Sequence, residues 1–187
     1  MSIPGAFLFV FLAIVRVAGI VRGGFNLLGV LLFAQASLAA LLMVFRRPAH
    51  QEAPKWVQAV AWVSAILPML FSTPSQSIWK GFLPVPGLAL NLWSLVSLGI
   101  AFGIAPAYRG LVTTGPYHWL RHPMYAGELL SLAGAFLAAP QVWNLVVLLV
   151  FAVSILWRIN REENILNRNG YPAYASAVRW RLVPGIW

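Results

Sequence analysis

Apolar residues run in long blocks along this chain, and polar residues fall almost only between the blocks. A helix needs about 20 mostly apolar residues to cross a bilayer. Residues 3–21 form the first such block, interrupted only by Arg16. Residues 25–45 form a second, closed by Arg46-Arg47-Pro48 and the short polar loop 46–55. Residues 56–71 form a third, with Pro68 near its end, and a Pro/Ser-rich loop follows at 72–86. Residues 87–105 form a fourth, closed by Pro106. Residues 108–122 are too polar to face lipid. Residues 123–139 and 142–157 predict a helical hairpin turned at Ala139-Pro140-Gln141. Everything after Arg158 is polar or amphipathic. The pattern predicts an all-α, polytopic integral membrane helix bundle of five to six transmembrane helices, five if the first block lies in the interface. Gly99 with Gly103 and Gly127 with Ser131 predict close helix contacts, because small residues four apart let backbones approach.

Composition supports a membrane location. The 187 residues are 60% hydrophobic and only 9% charged, against about 25% charged in soluble domains. The length suits one domain, with residues 1–106 as its N-terminal transmembrane part and 107–187 as its chemistry-bearing part. The apolar N-terminal stretch lacks a basic region ahead of it and reads as a first span, not a cleaved signal. The net charge of +9 does not point to nucleic acid, because the basic residues sit at the ends of apolar runs, as in loops facing the cytoplasm and anionic lipid. With the N-terminus inside, six spans place Arg46, Arg47, Lys55, Arg109, Arg121, Arg158, Arg161, Arg168, Arg179 and Arg181 on the cytoplasmic side. Arg22 and Lys80 remain on the other, with Arg16 buried or snorkelling. This asymmetry predicts a cytoplasmic C-terminus.

The chain contains no cysteine and no aspartate. That excludes disulfides, thiolate zinc sites, a cysteine nucleophile and a Ser-His-Asp set. Acid–base work by carboxylates falls to Glu52, Glu128, Glu162 and Glu163. His50 and Glu52 have no third ligand at metal spacing, so no metal site is expected. Neither a G-x-G-x-x-G fingerprint nor a P-loop is present.

Two clusters hold most of the concentrated polar chemistry. In the first, residues 115–122, two histidines flank an arginine just before Pro123. Proline suits a first helical turn, so His122 is expected at a helix N-terminus, whose free amides and partial positive charge suit an anionic group. The cluster is either a cap over a polar ligand or a juxtamembrane belt of Tyr, Trp and Arg. The second cluster is Arg158, Arg161, Glu162 and Glu163. On a continuing helix Arg158 and Glu162 share a face. One carboxylate could then accept ribose hydroxyls and one guanidinium could orient an anion. Alternatively, Asn160 with Glu163 is a capping box at a solvated helix end. A further helix from Pro172 would place Tyr171, Tyr174 and Val178 on one face, packed on the membrane interface. Arg16 pairs with Glu128, lines a cavity, or snorkels, lying six residues from Arg22; snorkelling is the expectation.

The run Leu111-Val112-Thr113-Thr114-Gly115-Pro116-Tyr117, then Arg121-His122-Pro123-Met124-Tyr125-Ala126-Gly127, then Glu162-Glu163 and Gly170-Tyr171-x-x-Tyr174 resembles the isoprenylcysteine carboxyl methyltransferase family. The wider group includes bacterial phospholipid N-methyltransferases. The resemblance implies S-adenosylmethionine bound in a cytosol-facing pocket roofed by the loop and the C-terminal helices. It implies that Arg109, Gly110, Leu111, Val112, Tyr117, Arg121, His122, Pro123, Met124, Tyr125 and Glu162 line the cofactor site. It also implies that Arg158 faces the methyl acceptor, a lipid-like or prenylated small molecule reached between helices. A carboxylate is already ionised at pH 7 and needs only a cation such as Arg158 or Arg121 to orient it. An amine must lose a proton, to Glu128, Glu163 or a histidine. The arginine-rich site favours a carboxylate, with an amine phospholipid as the alternative. An NADPH-dependent membrane reductase and a non-enzymatic membrane protein are the remaining readings.

Overall fold

The computed structural model describes residues 2–72, 81–167 and 170–187. Lys80 and Arg168, which enter the charge asymmetry, and most of the loop 72–86 lie outside the described residues. Helix α1 (Ser2–Gly23) and helix α2 (Leu27–Phe45) form an N-terminal hairpin. The Asn26 side chain caps α2 by accepting from the Gly29 amide at 2.7 Å, which satisfies one of the helix's free donors. Helix α3 (Lys55–Ile66) ends in a 3₁₀ turn, Leu67–Leu70, carrying Pro68. Helix α4 (Val85–Leu98) is followed by helix α5 (Pro123–Ala138), helix α6 (Val142–Leu166) and the short helix α7 (Tyr171–Ala177).

Among the described residues, α1, α2 and α6 are long and apolar enough to cross a bilayer. The apolar stretches Lys55–Leu70 and Val85–Ala101 are shorter. At 1.5 Å per residue, the 14 residues of α4 reach about 21 Å, less than the roughly 30 Å hydrocarbon core. The cause is local. Gly99 takes φ +53 and ψ −136, a conformation open to glycine, and turns the helix into the 3₁₀ segment Gly99–Ala101. Gly99 and Gly103 are therefore not one helix face, and that expected packing pair is corrected. Gly127 and Ser131 do pack as expected: a Cβ on Gly87 of α4 would come within 2.6 Å of the Gly127 carbonyl oxygen, and Ser131 lies beside the same point. Here α4 and α5 meet backbone to backbone.

The bundle is not purely helical. Strand β1 (Gln51–Glu52) pairs antiparallel with strand β2 (Ala107–Tyr108), Gln51 opposite Tyr108. This small ladder ties the loop after α2 to the loop after α4, both of which the hydropathy pattern leaves structureless. The largest cluster of buried apolar side chains runs through Met43, Leu95, Met124, Phe151, Ile155 and Ile159, joining α2, α4, α5 and α6. Helix α6 continues without a break through Asn160, so the capping box expected as one alternative there does not form.

Candidate active site

Two clefts meet where α5 and α6 face the loop 102–122. The first encloses about 740 Å³, including its open mouth. Its walls are the loop residues Arg109, Gly110, Leu111 and Val112, then Tyr117, Arg121 and His122, then Met124 and Tyr125 of α5, and Glu162 of α6. Of the residues expected around a cofactor, only Pro123 is missing from these walls; it occupies the first turn of α5, with His122 as its N-cap. Tyr171 and Tyr174 of α7 also line this cleft, so α7 does not simply pack on the membrane interface. The second cleft, about 1400 Å³ with its openings, is mainly apolar. Arg158, Glu128, Arg16, Gln35 and Asn91 are the polar residues that stand out in its walls. Gly103 and Met124 line both clefts.

Successive turns of α6 point two charged side chains into different clefts: Glu162 lines the first and Arg158 the second. Tyr125 joins them. Its hydroxyl donates to Glu162 Oε2 at 2.9 Å, and its ring lies 4.9 Å from the Arg158 guanidinium carbon, within cation–π range. His122 stacks on the other side of the group, its ring centroid 5.8 Å from that of Tyr125. Arg158 is almost fully buried and donates through Nη2 to the Ile104 carbonyl at 2.7 Å, while its Nε has no partner.

Glu163 has a different setting. Tyr171 Oη donates to its Oε1 at 2.6 Å, Arg121 Nη1 at 3.2 Å and Arg181 Nε at 3.0 Å. The His122 ring nitrogen Nε2 lies 3.3 Å from the same oxygen. Arg181 Nη2 donates to Oε2 at 2.9 Å. Arg121 also donates to the carbonyls of Val178 and Arg179, and the amides of Arg121 and His122 donate to the carbonyls of Trp180 and Arg181. One carboxylate thus ties the loop, α6, α7 and the C-terminal segment into a roof. Neither Glu163 nor the buried side chain of Ile159 one turn earlier reaches the walls of the two clefts.

Electrostatics follow from these partners. Burial raises the Tyr117 hydroxyl above its ordinary pKa, and burial with the bond to Glu163 does the same for Tyr171. Burial pushes Tyr174 up to about 12, against the pull of Arg121. All three remain neutral donors at physiological pH. The hydrogen bond to Glu163 raises Arg181. Burial, and then the nearby Arg46 charge, lower Arg109, whose Nε has no hydrogen-bond partner.

Arg16 is exposed at the second cleft and forms no ion pair with Glu128 among the described residues. Arg161 does not join Glu163; its guanidinium lies over the rings of Trp56 and Trp157 at 5.3 and 5.5 Å. Sequence reasoning missed Gln35 and Asn91, which hydrogen-bond to each other at 2.9 Å inside the second cleft. Isolated amides within apolar blocks were the available signal. It also missed Arg181 as a partner of Glu163, for which spacing gives no cue.

Residues 78–173 match the family model described as phospholipid methyltransferase. The chain belongs to the phospholipid methyltransferase family. No curated protein matches it. The family acts by methyl transfer at membranes and implies S-adenosylmethionine as the methyl donor. The first cleft fits such a group. Arg109 offers a buried, unpartnered guanidinium N–H suited to a carboxylate. Glu162 spends one oxygen on Tyr125 and retains acceptor capacity for hydroxyl or ammonium donors. Leu98, Leu111 and Val112 supply apolar wall for a flat base.

Proposed function

We propose that this chain transfers a methyl group from S-adenosylmethionine to the head group of a lipid-like acceptor. The donor would occupy the cleft under the roof and the acceptor the apolar cleft beside it. The observation that carries this reading is the placement of Glu162 and Arg158 on adjacent turns of α6, each in its own cleft and joined by Tyr125. The bound donor supplies an electrophilic methyl group on a sulfonium. The protein's own part is to position and to stabilise charge.

In this reading Arg109 and Glu162 hold the donor's charged and hydroxyl groups. His122, Met124 and Tyr125 form the wall toward the acceptor, and the roof keeps water out. Arg121 and Glu163 act by fixing that roof, since their polar atoms are engaged with one another, with Arg181 and with backbone carbonyls. Arg158 orients the anionic part of the acceptor. A lipid carboxylate of the isoprenylcysteine type needs only this cation, because it is ionised at pH 7. An amine lipid is the second reading, and the unpartnered Glu128 Oε2 in the same cleft favours it. The site opens toward the cytoplasm in this reading. The shorter apolar segments and α5 complete a five- to six-span bundle around α1, α2 and α6.

Calorimetric titration of detergent-purified protein with S-adenosylhomocysteine tests the reading. Micromolar binding is expected. Absence of binding in folded protein supplied with lipid, or tight binding of NADPH instead, would overturn it.

A further inference from the structure

We propose that Arg161, held between Trp56 and Trp157, binds the phosphate of an anionic membrane phospholipid on the outer surface of α3 and α6. The site is separate from the two clefts, since none of these three residues lines either of them. The inference therefore stands apart from the methyl-transfer reading.

Arg161 is followed directly by two carboxylates and forms an ion pair with neither. Glu162 turns into the first cleft and Glu163 into the roof. The Arg161 guanidinium carbon lies instead 5.3 Å from the Trp56 ring centroid and 5.5 Å from that of Trp157, and the two ring centroids are 6.0 Å apart. Trp157 is one turn earlier on α6, and Trp56 comes from the first turn of α3. The clamp thus joins two helices. A guanidinium stacked on aromatic faces keeps its N–H edge for a carboxylate or phosphate. Among the described residues, no acceptor takes that edge. Lys55, next to Trp56 and exposed, is likewise without an ion pair there. The patch offers donors and positive charge, and the partner it lacks is an anionic acceptor.

Its place along the helices says which anion. Helix α3 runs antiparallel to α6. Trp56 meets Trp157 at one end, and at the other Trp143 donates to the Leu70 carbonyl at 2.8 Å. Away from the clamp in that direction, both helices expose apolar side chains: Val60 and Val63 on α3, and Leu156, Val153 and Leu149 on α6. At and beyond the clamp, α6 and its C-cap expose Asn160, Asn164 and Asn167. Indole rings and a cation at the seam between an apolar wall and a polar end mark the level of lipid head groups. Free phosphate would suit the guanidinium edge and leave the apolar wall bare. A phospholipid answers both, with its phosphate at Arg161 and its chains along α3 and α6. The uncompensated charge of Arg161 and Lys55 favours a net-negative head group over a zwitterionic one.

Native mass spectrometry of the full chain in detergent tests this. The probes are phosphatidylglycerol, phosphatidylcholine and diacylglycerol with the same chains. Wild type is expected to retain phosphatidylglycerol about fivefold more strongly than phosphatidylcholine, the scale of one basic residue at a lipid surface. It should exceed diacylglycerol about tenfold, the scale of a charged hydrogen bond. Arg161→Gln should lose that tenfold advantage, and Arg161→Lys, a point charge without the fork, should recover part of it. Far-UV circular dichroism checks that both variants keep their helices; if Arg161→Gln does not, the wild-type lipid series and Arg161→Lys decide. Equal retention of phosphatidylglycerol by wild type and folded Arg161→Gln would overturn the assignment, as would equal retention of diacylglycerol by wild type. Displacement of the lipid by millimolar inorganic phosphate would make this a site for the free ion instead. A dimer that Arg161→Gln dissociates would give the patch to a second copy of the chain, and would also sink the proposal.

Discussion

Glu162 and Arg158 carry formally opposite charges one turn apart, yet they do not pair with each other. Tyr125 stands between them, hydroxyl to one and ring face to the other. Their substitution should therefore separate two functions. Glu162→Gln removes the charge from one hydrogen-bonding partner in the first cleft, and a charge-assisted bond is worth about 1.5–3 kcal/mol. S-adenosylhomocysteine affinity should drop roughly 10- to 100-fold, as calorimetry would measure. Arg158→Ala should leave that affinity within about twofold and lower turnover by about a hundredfold, the scale of a lost charged bond to the acceptor. An equal loss of cofactor affinity in Arg158→Ala would move Arg158 into the first cleft.

Helices α4 and α5 show how far the sequence could be read at the scale of elements. The hydropathy blocks located the start of every long helix within two residues, because bilayer-length apolar runs leave few alternatives, but α4 stops seven residues before its block ends and α6 runs nine residues past its own. Gly127 with Ser131 was legible as a contact, since small residues four apart on one helix let backbones approach. Gly99 with Gly103 has the same spacing and a different use, because a glycine's spacing does not reveal its φ. The β1–β2 ladder and the link from Glu163 to Arg181 were not legible: both join segments far apart in the chain through backbone or lone side-chain bonds that leave no periodic trace. In the site, the loop residues 109–112 and 121–125 were found as a group through motif likeness. The side-chain amides of Gln35 and Asn91 in the second cleft belong to no motif and were passed over. A Cβ on Gly127 would lie 2.6 Å from the backbone nitrogen of Asn91. Gly127→Leu should accordingly force α4 and α5 apart, at about 1–3 kcal/mol, and lower the thermal midpoint in detergent. Glu163→Gln leaves Arg121 and Arg181 without their shared anion. That should loosen the roof by roughly 3 kcal/mol, seen as faster amide hydrogen exchange in residues 171–187 with exchange in α1 and α2 unchanged.

At the scale of the whole molecule, the absence of cysteine makes sidedness directly measurable. Phe25, between α1 and α2, and Ser176, in α7, are both exposed. If the active site faces the cytoplasm, a membrane-impermeant maleimide should label Phe25→Cys in right-side-out vesicles and Ser176→Cys only in inverted ones. Labelling of both from one side would require an odd number of crossings fewer or more between them. The Tyr125 bridge has a last consequence for the molecule as a whole. A side chain that touches a wall residue of each cleft can couple what the two clefts hold, and any such coupling is reciprocal. If lipid in the second cleft tightens S-adenosylhomocysteine by some factor, the nucleoside must tighten the lipid by that same factor. Removing the ring with Tyr125→Ala would then let each site fill as though the other were not there.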